Sequence, residues 1–124
     1  MGAMEIGTKL VELCREGRNL DAIDALYADD VVSIEASAPP AGGDRKMEGI
    51  EAIRGKNEWW AENHEVHGAS VAGPFPNGDD RFAVHFKYDV TSKPMGGQRF
   101  QMEEVALYTV QDGKIAREEF FYSM

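Results

Sequence analysis

An α+β fold, with helices packed on one face of a curved, mainly antiparallel sheet, follows from three features of this 124-residue sequence. Helical periodicity fills the N-terminal stretch and returns once, near residues 48–65. Alternation marks residues 82–90, where Phe82, Val84, Phe86, Tyr88 and Val90 alternate with Ala83, His85, Lys87 and Asp89. The strongest signal is a long hairpin over residues 98–122, centred on Asp112-Gly113. Both central positions of a two-residue type I′ turn need positive φ, which Asp and Gly adopt at least cost.

Taken in order, Ile6, Leu10, Leu13, Cys14 and Gly17 recur at helical spacing, which predicts a first amphipathic helix over 5–16 with a glycine at its end. Asn19 offers a cap for a second, short helix in which Leu20, Ile23, Leu26 and Tyr27 share a face and which closes at Asp29-Asp30. Residues 31–35 alternate and are β-branched, so they predict a strand with Val32 and Ile34 on one side, Ser33 and Glu35 on the other. The stretch ASAPPAGGDRKM is a loop, since it has two prolines, two glycines and no period. A third helix opens at Met47 or Glu48 and runs to about Glu65, with Ile50, Ile53, Asn57, Trp60 and His64 on one stripe.

An edge strand over 66–72 and the turn-rich GPFPNGDD come next. In the strand that follows, Phe82, Val84, Phe86, Tyr88 and Val90 face the core, leaving His85, Lys87 and Asp89 outside. Counting outward from the final turn pairs Val110 with Ile115, Thr109 with Ala116, Leu107 with Glu118 and Val105 with Phe120. That register puts Glu103, Val105, Leu107, Glu118, Phe120 and Tyr122 on the core face. Glu104, Ala106, Tyr108, Arg117, Glu119 and Phe121 fall on the other. The element order is α-α-β-α-β-β-β-β, and residues 1–124 form a single domain without repeats.

Hydrophobic content of 43% excludes a disordered chain. No apolar run approaches the roughly 20 residues of a membrane span, and the start lacks a signal peptide, so a cytoplasmic location is expected. Thirteen basic against 22 acidic side chains leave a net charge of −9, which repels nucleic acid and anionic lipid. A small apolar molecule is the expected partner, and no membrane or nucleic acid. No phosphate loop and no ligand cluster is legible, so no cofactor and no metal is expected; His64 and His67 straddle a helix end, which leaves no assured common orientation. Cys14, the one cysteine, reads as a buried structural thiol.

The order of elements, with YADDVVSIE at 27–35, EGIEAIRGKNEWW at 48–60 and VQDGKIAREEFFY at 110–122, resembles the SnoaL-like branch of the nuclear-transport-factor-2-like superfamily. The resemblance implies a cone, in which a bent antiparallel or mixed sheet wraps a helix and leaves a pocket at one end, and a homodimer through the convex sheet face. The superfamily holds isomerases, epoxide hydrolases, polyketide cyclases and proteins that catalyse nothing. Ketosteroid isomerases have a similar Tyr-Ala-Asp-Asp run, followed eight residues after the tyrosine by the proton-shuttling carboxylate. Here that position is Glu35. Their two oxyanion donors fall near Leu10 and Val105, so steroid isomerisation itself is not implied. Limonene epoxide hydrolases share the Gly-Lys-Ile hairpin and place an aspartate where this chain has Phe120.

The resulting expectation is a concave surface that carries Glu35 as base, with Tyr27 and His64 as donors, among the pocket residues Asn57, Trp60, Phe82, Val84, Phe86, Tyr88, Glu103, Val105, Leu107, Glu118, Phe120 and Tyr122. Apolar walls would raise the pKa of Glu35 toward neutrality. Isomerisation, cyclisation or hydration without a cofactor would then be possible chemistry; a non-catalytic ligand-binding or dimerisation domain is the alternative. Arg54 or Lys56 reaching Glu35 would instead make it a structural ion pair.

Overall fold

The computed structural model describes residues 2–37 and 43–123; part of the proline- and glycine-containing loop therefore lies outside the described residues. Helices α1 (Ala3–Arg15), α2 (Asn19–Leu26) and α3 (Ile50–Asn63) accompany strands β1 (Tyr27–Ile34), β2 (Lys46–Glu48), β3 (His64–Asn77), β4 (Arg81–Ser92), β5 (Gln98–Gln111) and β6 (Lys114–Phe121). All six strands form one open sheet in the order β2-β1-β6-β5-β4-β3. It is mixed, because β1 runs parallel to β6 while the other neighbours are antiparallel.

The helices cover one face, which is therefore the inner one. Helix α1 buries Ile6, Leu10, Val11 and Cys14 against β3 and β4, and α3 lies over β1 with Ile53 fully buried. Gly7 permits the close approach of α1, since a Cβ there would stand 2.7 Å from the Pro74 ring and 3.0 Å from Phe82. Phe82, Val84, Phe86 and Val90 alternate into the core as the periodicity predicts. Each such side chain contributes on the order of 2 kcal/mol of burial free energy.

Several boundaries differ from the sequence reading. Tyr27 begins β1 instead of ending α2, and pairs with Ile115; its ring is buried from a strand, not from a helix face. A short extra strand, β2, stands where loop and helix start were expected. Gly49, at φ 93°, turns the chain from β2 into α3 while its N–H bonds the Val31 carbonyl at 2.8 Å. Helix α3 stops at Asn63, and His64 is already the first residue of β3, which continues through GPFPN to Asn77.

The most consequential difference is in the final hairpin. Asp112 and Gly113 have φ of 51° and 76°, as a type I′ turn requires, and Val110 pairs with Ile115. Beyond that pair Thr109 faces Arg117, not Ala116, so Ala116 is an extra residue on β6. This one-residue bulge flips β5 relative to β6. Tyr108 now opposes Glu118 and Ala106 opposes Phe120 on the inner face, with Glu104 one alternation further on. Glu103, Val105 and Leu107, expected inside, lie on the outer face, where Val105 is 39% exposed. Ala106 and Tyr108, expected outside, are buried.

Candidate functional site

A lysine on α3 is the centre of the polar interior. The inward stripe of α3 contains Ile53, Lys56, Asn57 and Trp60, so Lys56 projects toward β1 and β6. Its Nζ donates to Glu35 Oε1 at 2.8 Å and to Ser33 Oγ at 3.0 Å, and lies 3.8 Å from Glu118 Oε1. The same ammonium sits 4.9 Å from the centre of the Phe120 ring. Alternation along β1 turns Ser33 and Glu35 inward together, as the sequence predicts. Two tyrosines complete the network. Tyr27 Oη donates to Glu118 Oε2 at 2.5 Å, and Tyr122 Oη to Glu35 Oε2 at 3.0 Å.

Burial grades these carboxyls. Glu118 is 1% exposed. Desolvation pushes its pKa up; Lys56, Tyr27 and Ser33 pull it back, and Glu35 adds to the rise. Glu104 is pushed up to about 7, by burial first and then by Glu35, with Lys56 opposing and Glu118 adding. Tyr27 and Tyr108 are raised well above the usual phenol range, by burial and next by the charge of Glu118. Cys14, buried as expected, is pushed up to about 12 by desolvation and then by Glu118, which makes it a poor nucleophile.

The expected residues thus divide. Glu35, Tyr27, Glu118, Phe120 and Tyr122 meet around Lys56. Phe82, Val84, Phe86 and Tyr88 line the same face, with Phe82 stacked on Tyr108 at 5.0 Å between centroids and Phe86 on Tyr88 at 6.0 Å. Asn57 spends its amide on the Ile53 carbonyl at 2.9 Å. His64 stacks on Trp60 at 4.5 Å and has both ring nitrogens engaged, with the Trp60 carbonyl at 2.9 Å and Ser92 Oγ at 3.1 Å. It joins α3 to β4 and bonds no member of the Lys56 network. Glu103 is an outer-face residue whose Oε1 lies 2.6 Å from His85 Nε2. Glu35 is not an isolated carboxylate in apolar walls, because Lys56 pairs with it; among the described residues Glu104 is a partly buried acid without a bonded partner.

Sequence reasoning missed Ser33, Glu104 and Tyr108 as site residues, and had Lys56 only as an alternative ion-pair partner of Glu35. Lys56 was findable, because it is a lone cation three residues after Ile53 and four before Trp60 on the buried stripe of its helix. Glu104 was not, since only the bulge turns it inward. Two surface concavities, of about 370 Å³ beside α1 and α2 and about 530 Å³ across β3 to β5, lie apart from the Lys56 network. Among the described residues no group of three or more His, Cys, Asp or Glu side chains is placed to hold a metal ion, and no helix is long and apolar enough to cross a membrane.

Known structures share this architecture. A protein from Mesorhizobium loti, provisionally described as a SnoaL-like polyketide cyclase, is 49% identical over 95% of this chain and 97% of its own, with a TM-score of 0.87. A similarly described polyketide cyclase from Pseudomonas putida (20% identity, 100% and 93% coverage, TM-score 0.72) and an NTF2-like protein from Burkholderia thailandensis (17%, 99% and 92%, 0.78) share the fold. No match is found among curated proteins. The SnoaL-like domain model matches residues 1–122. The chain is a member of the SnoaL-like family, with the α+β cone fold of the NTF2-like proteins.

Proposed function

We propose that this protein binds a small, largely apolar carbonyl compound at the Lys56 network and moves a proton on it without a cofactor, as an isomerase, cyclase or hydratase would. The observation that carries the reading is one ammonium held between two inward carboxylates, Glu35 and Glu118, on a face that also carries Phe82, Val84, Phe86 and Phe120. Proton abstraction next to a carbonyl needs a base and a positive group for the developing oxyanion. Glu35 supplies the first when a substrate oxygen takes its place on Lys56; Lys56 supplies the second. Tyr122 keeps a hydrogen bond on Glu35 throughout, and Tyr27 does the same for Glu118. The polyketide-cyclase description of the Mesorhizobium loti relative supports this class of substrate.

The test is deuterium uptake from D₂O at the acidic carbon of cyclic ketones and 1,3-diketones, followed by NMR. Uptake that Lys56→Met and Glu35→Gln both abolish supports the proposal. A second reading has its own support, because each polar group of the network already has a partner within the protein, as in a purely structural or ligand-holding site. Absence of enzyme-dependent uptake across such a panel would favour that alternative.

The protein pairs with a second copy through its outer sheet face in this proposal. Val105 and Phe121 are register partners there and are 39% and 52% exposed, next to the partly buried Ile34 and Leu107. An apolar patch of this kind on a sheet is suited to a symmetric contact.

A further inference from the structure

The two carboxylates beside Lys56 are held very unequally. Glu118 lies inside β6, with Ser33 of β1 and Tyr108 of β5 as its register partners. Strands on both sides therefore fix its backbone, and its side chain is buried. Tyr27 Oη donates to its Oε2 at 2.5 Å, which leaves Oε1 toward Lys56 at 3.8 Å. Glu35 instead follows Ile34, the last residue of β1, and its side chain is partly exposed. Its other partner, Tyr122, likewise follows Phe121, the last residue of β6. The nearer acid thus stands past the strand ends, and the farther one is locked in the sheet. Buried Ser33, directly across from Glu118, accepts from Lys56 at 3.0 Å, so the ammonium already has a contact on the Glu118 side.

We infer that Glu118 is the positioning residue of this site: it acts through Lys56 as the permanent counter-ion that keeps the ammonium in place, while Glu35 is the exchangeable partner. The inference rests on the reading of the Lys56 network as a site of proton transfer and adds which acid stays behind. In that reading a substrate oxygen displaces Glu35 from Lys56. A lysine left over an aromatic ring with no carboxylate beside it would favour its neutral form and lose its hold on an oxyanion. Glu118 prevents this, because a shift of about 1 Å brings the ammonium within hydrogen-bond range of its Oε1. Buried and bonded by Tyr27, Glu118 cannot follow Glu35 outward. The other titratable or charged groups around Lys56 are Glu104 on β5, Tyr122 beyond β6, and Arg54 on α3 itself, which pairs with Asp24 and Glu58. Among the described residues none of these bonds Lys56.

A lysine ammonium held in a hydrogen-bonded ion pair exchanges its protons with water slowly enough to appear in proton–nitrogen correlation spectra. Near neutral pH the wild type should show such a signal for Lys56, assigned by its disappearance in Lys56→Met. Glu35→Ala should keep the signal, since Glu118 and Ser33 remain; Glu118→Gln, which leaves Glu35 and an acceptor for Tyr27, should lose it. An absent wild-type signal or a loss in Glu35→Ala overturns the inference whether or not Glu118→Gln folds. Persistence of the signal in a folded Glu118→Gln overturns it as well, as does a carboxyl-carbon shift showing Glu118 protonated at pH 7. Where the enzyme catalyses deuterium uptake, Glu118→Gln should lower kcat with KM little changed, and a wild-type kcat in that variant would sink this inference alone. Absence of uptake would sink only the catalytic reading, because the spectra still decide which acid holds Lys56.

Discussion

The ammonium of Lys56 lies 2.8 Å from a carboxylate oxygen of Glu35, each side chain less than a quarter exposed, and this pair decides how Glu35 behaves. A glutamate alone in apolar walls would resist ionisation, and its replacement by glutamine would stabilise the fold. Paired with Lys56 the expectation reverses. Glu35→Gln should destabilise by about 1 kcal/mol near pH 7, the net worth of a charge-assisted hydrogen bond in a partly buried place. Urea denaturation measures it, and a more stable mutant would contradict the pairing.

Lys56→Met should cost more, about 2–4 kcal/mol at pH 7, because it strands the fully buried Glu118 as well as Glu35 without their cation. The sign of its pH dependence is fixed by the carboxyls. Glu118, already raised, would rise further without Lys56, take up a proton as pH falls, and so lose its demand for a partner. The gap between wild type and mutant should therefore shrink toward pH 5. A gap that widens there would argue against the assignment.

Burial, and next the charge of Glu35, pushes the Glu104 carboxyl from its ordinary 4.5 up to about 7 in the folded protein. A carboxyl raised on folding stabilises the protein fully below its unfolded pKa, and that stability is lost as pH rises through the folded value. Glu104→Gln should thus be near neutral in stability at pH 4.5 and stabilising at pH 8, on the order of 1–2 kcal/mol once its partial exposure is allowed for. Parallel denaturation curves at the two pH values test this.

Gly7→Ala improves the helix propensity of α1 by up to about 1 kcal/mol, yet it should lower stability. The new methyl would meet the Pro74 ring at 2.7 Å, and the gap between α1 and β3 has no room to give without shifting the helix. A loss of about 1–3 kcal/mol is expected by thermal or urea unfolding. A gain would mean that the helix sits further from β3 than described.

Val105→Arg and Phe121→Arg should each change monomer stability by less than about 0.5 kcal/mol, since both side chains project from the outer face. Sedimentation should show the wild type as a dimer and both variants as monomers. A monomeric wild type at micromolar concentration would remove the proposed contact.

The sequence determined what depends on neighbours along the chain. Helical spacing located α1, and alternation through residues 82–90 put Phe82, Val84, Phe86 and Val90 inside. The Asp112-Gly113 turn set the first pair of the hairpin, and the period of two turned Ser33 and Glu35 inward together. These signals also carried the family. What only the tertiary structure decided was which face of β5 is buried and which cation meets which acid. The extra residue Ala116 has no local signature; it is accommodated because the bulge lets Tyr108 and Ala106 fill the space under the helices while Glu118 still reaches Tyr27. Helical spacing was satisfied as well by Tyr27 ending α2, until pairing with Ile115 claimed it for the sheet. Lys56 meets Glu35 and Glu118 because α3 lies over β1, beside β6, at the depth where a four-carbon stem spans the gap. That depth is set by the packing of Ile53 in the core, a relation among residues far apart in sequence that no local period encodes.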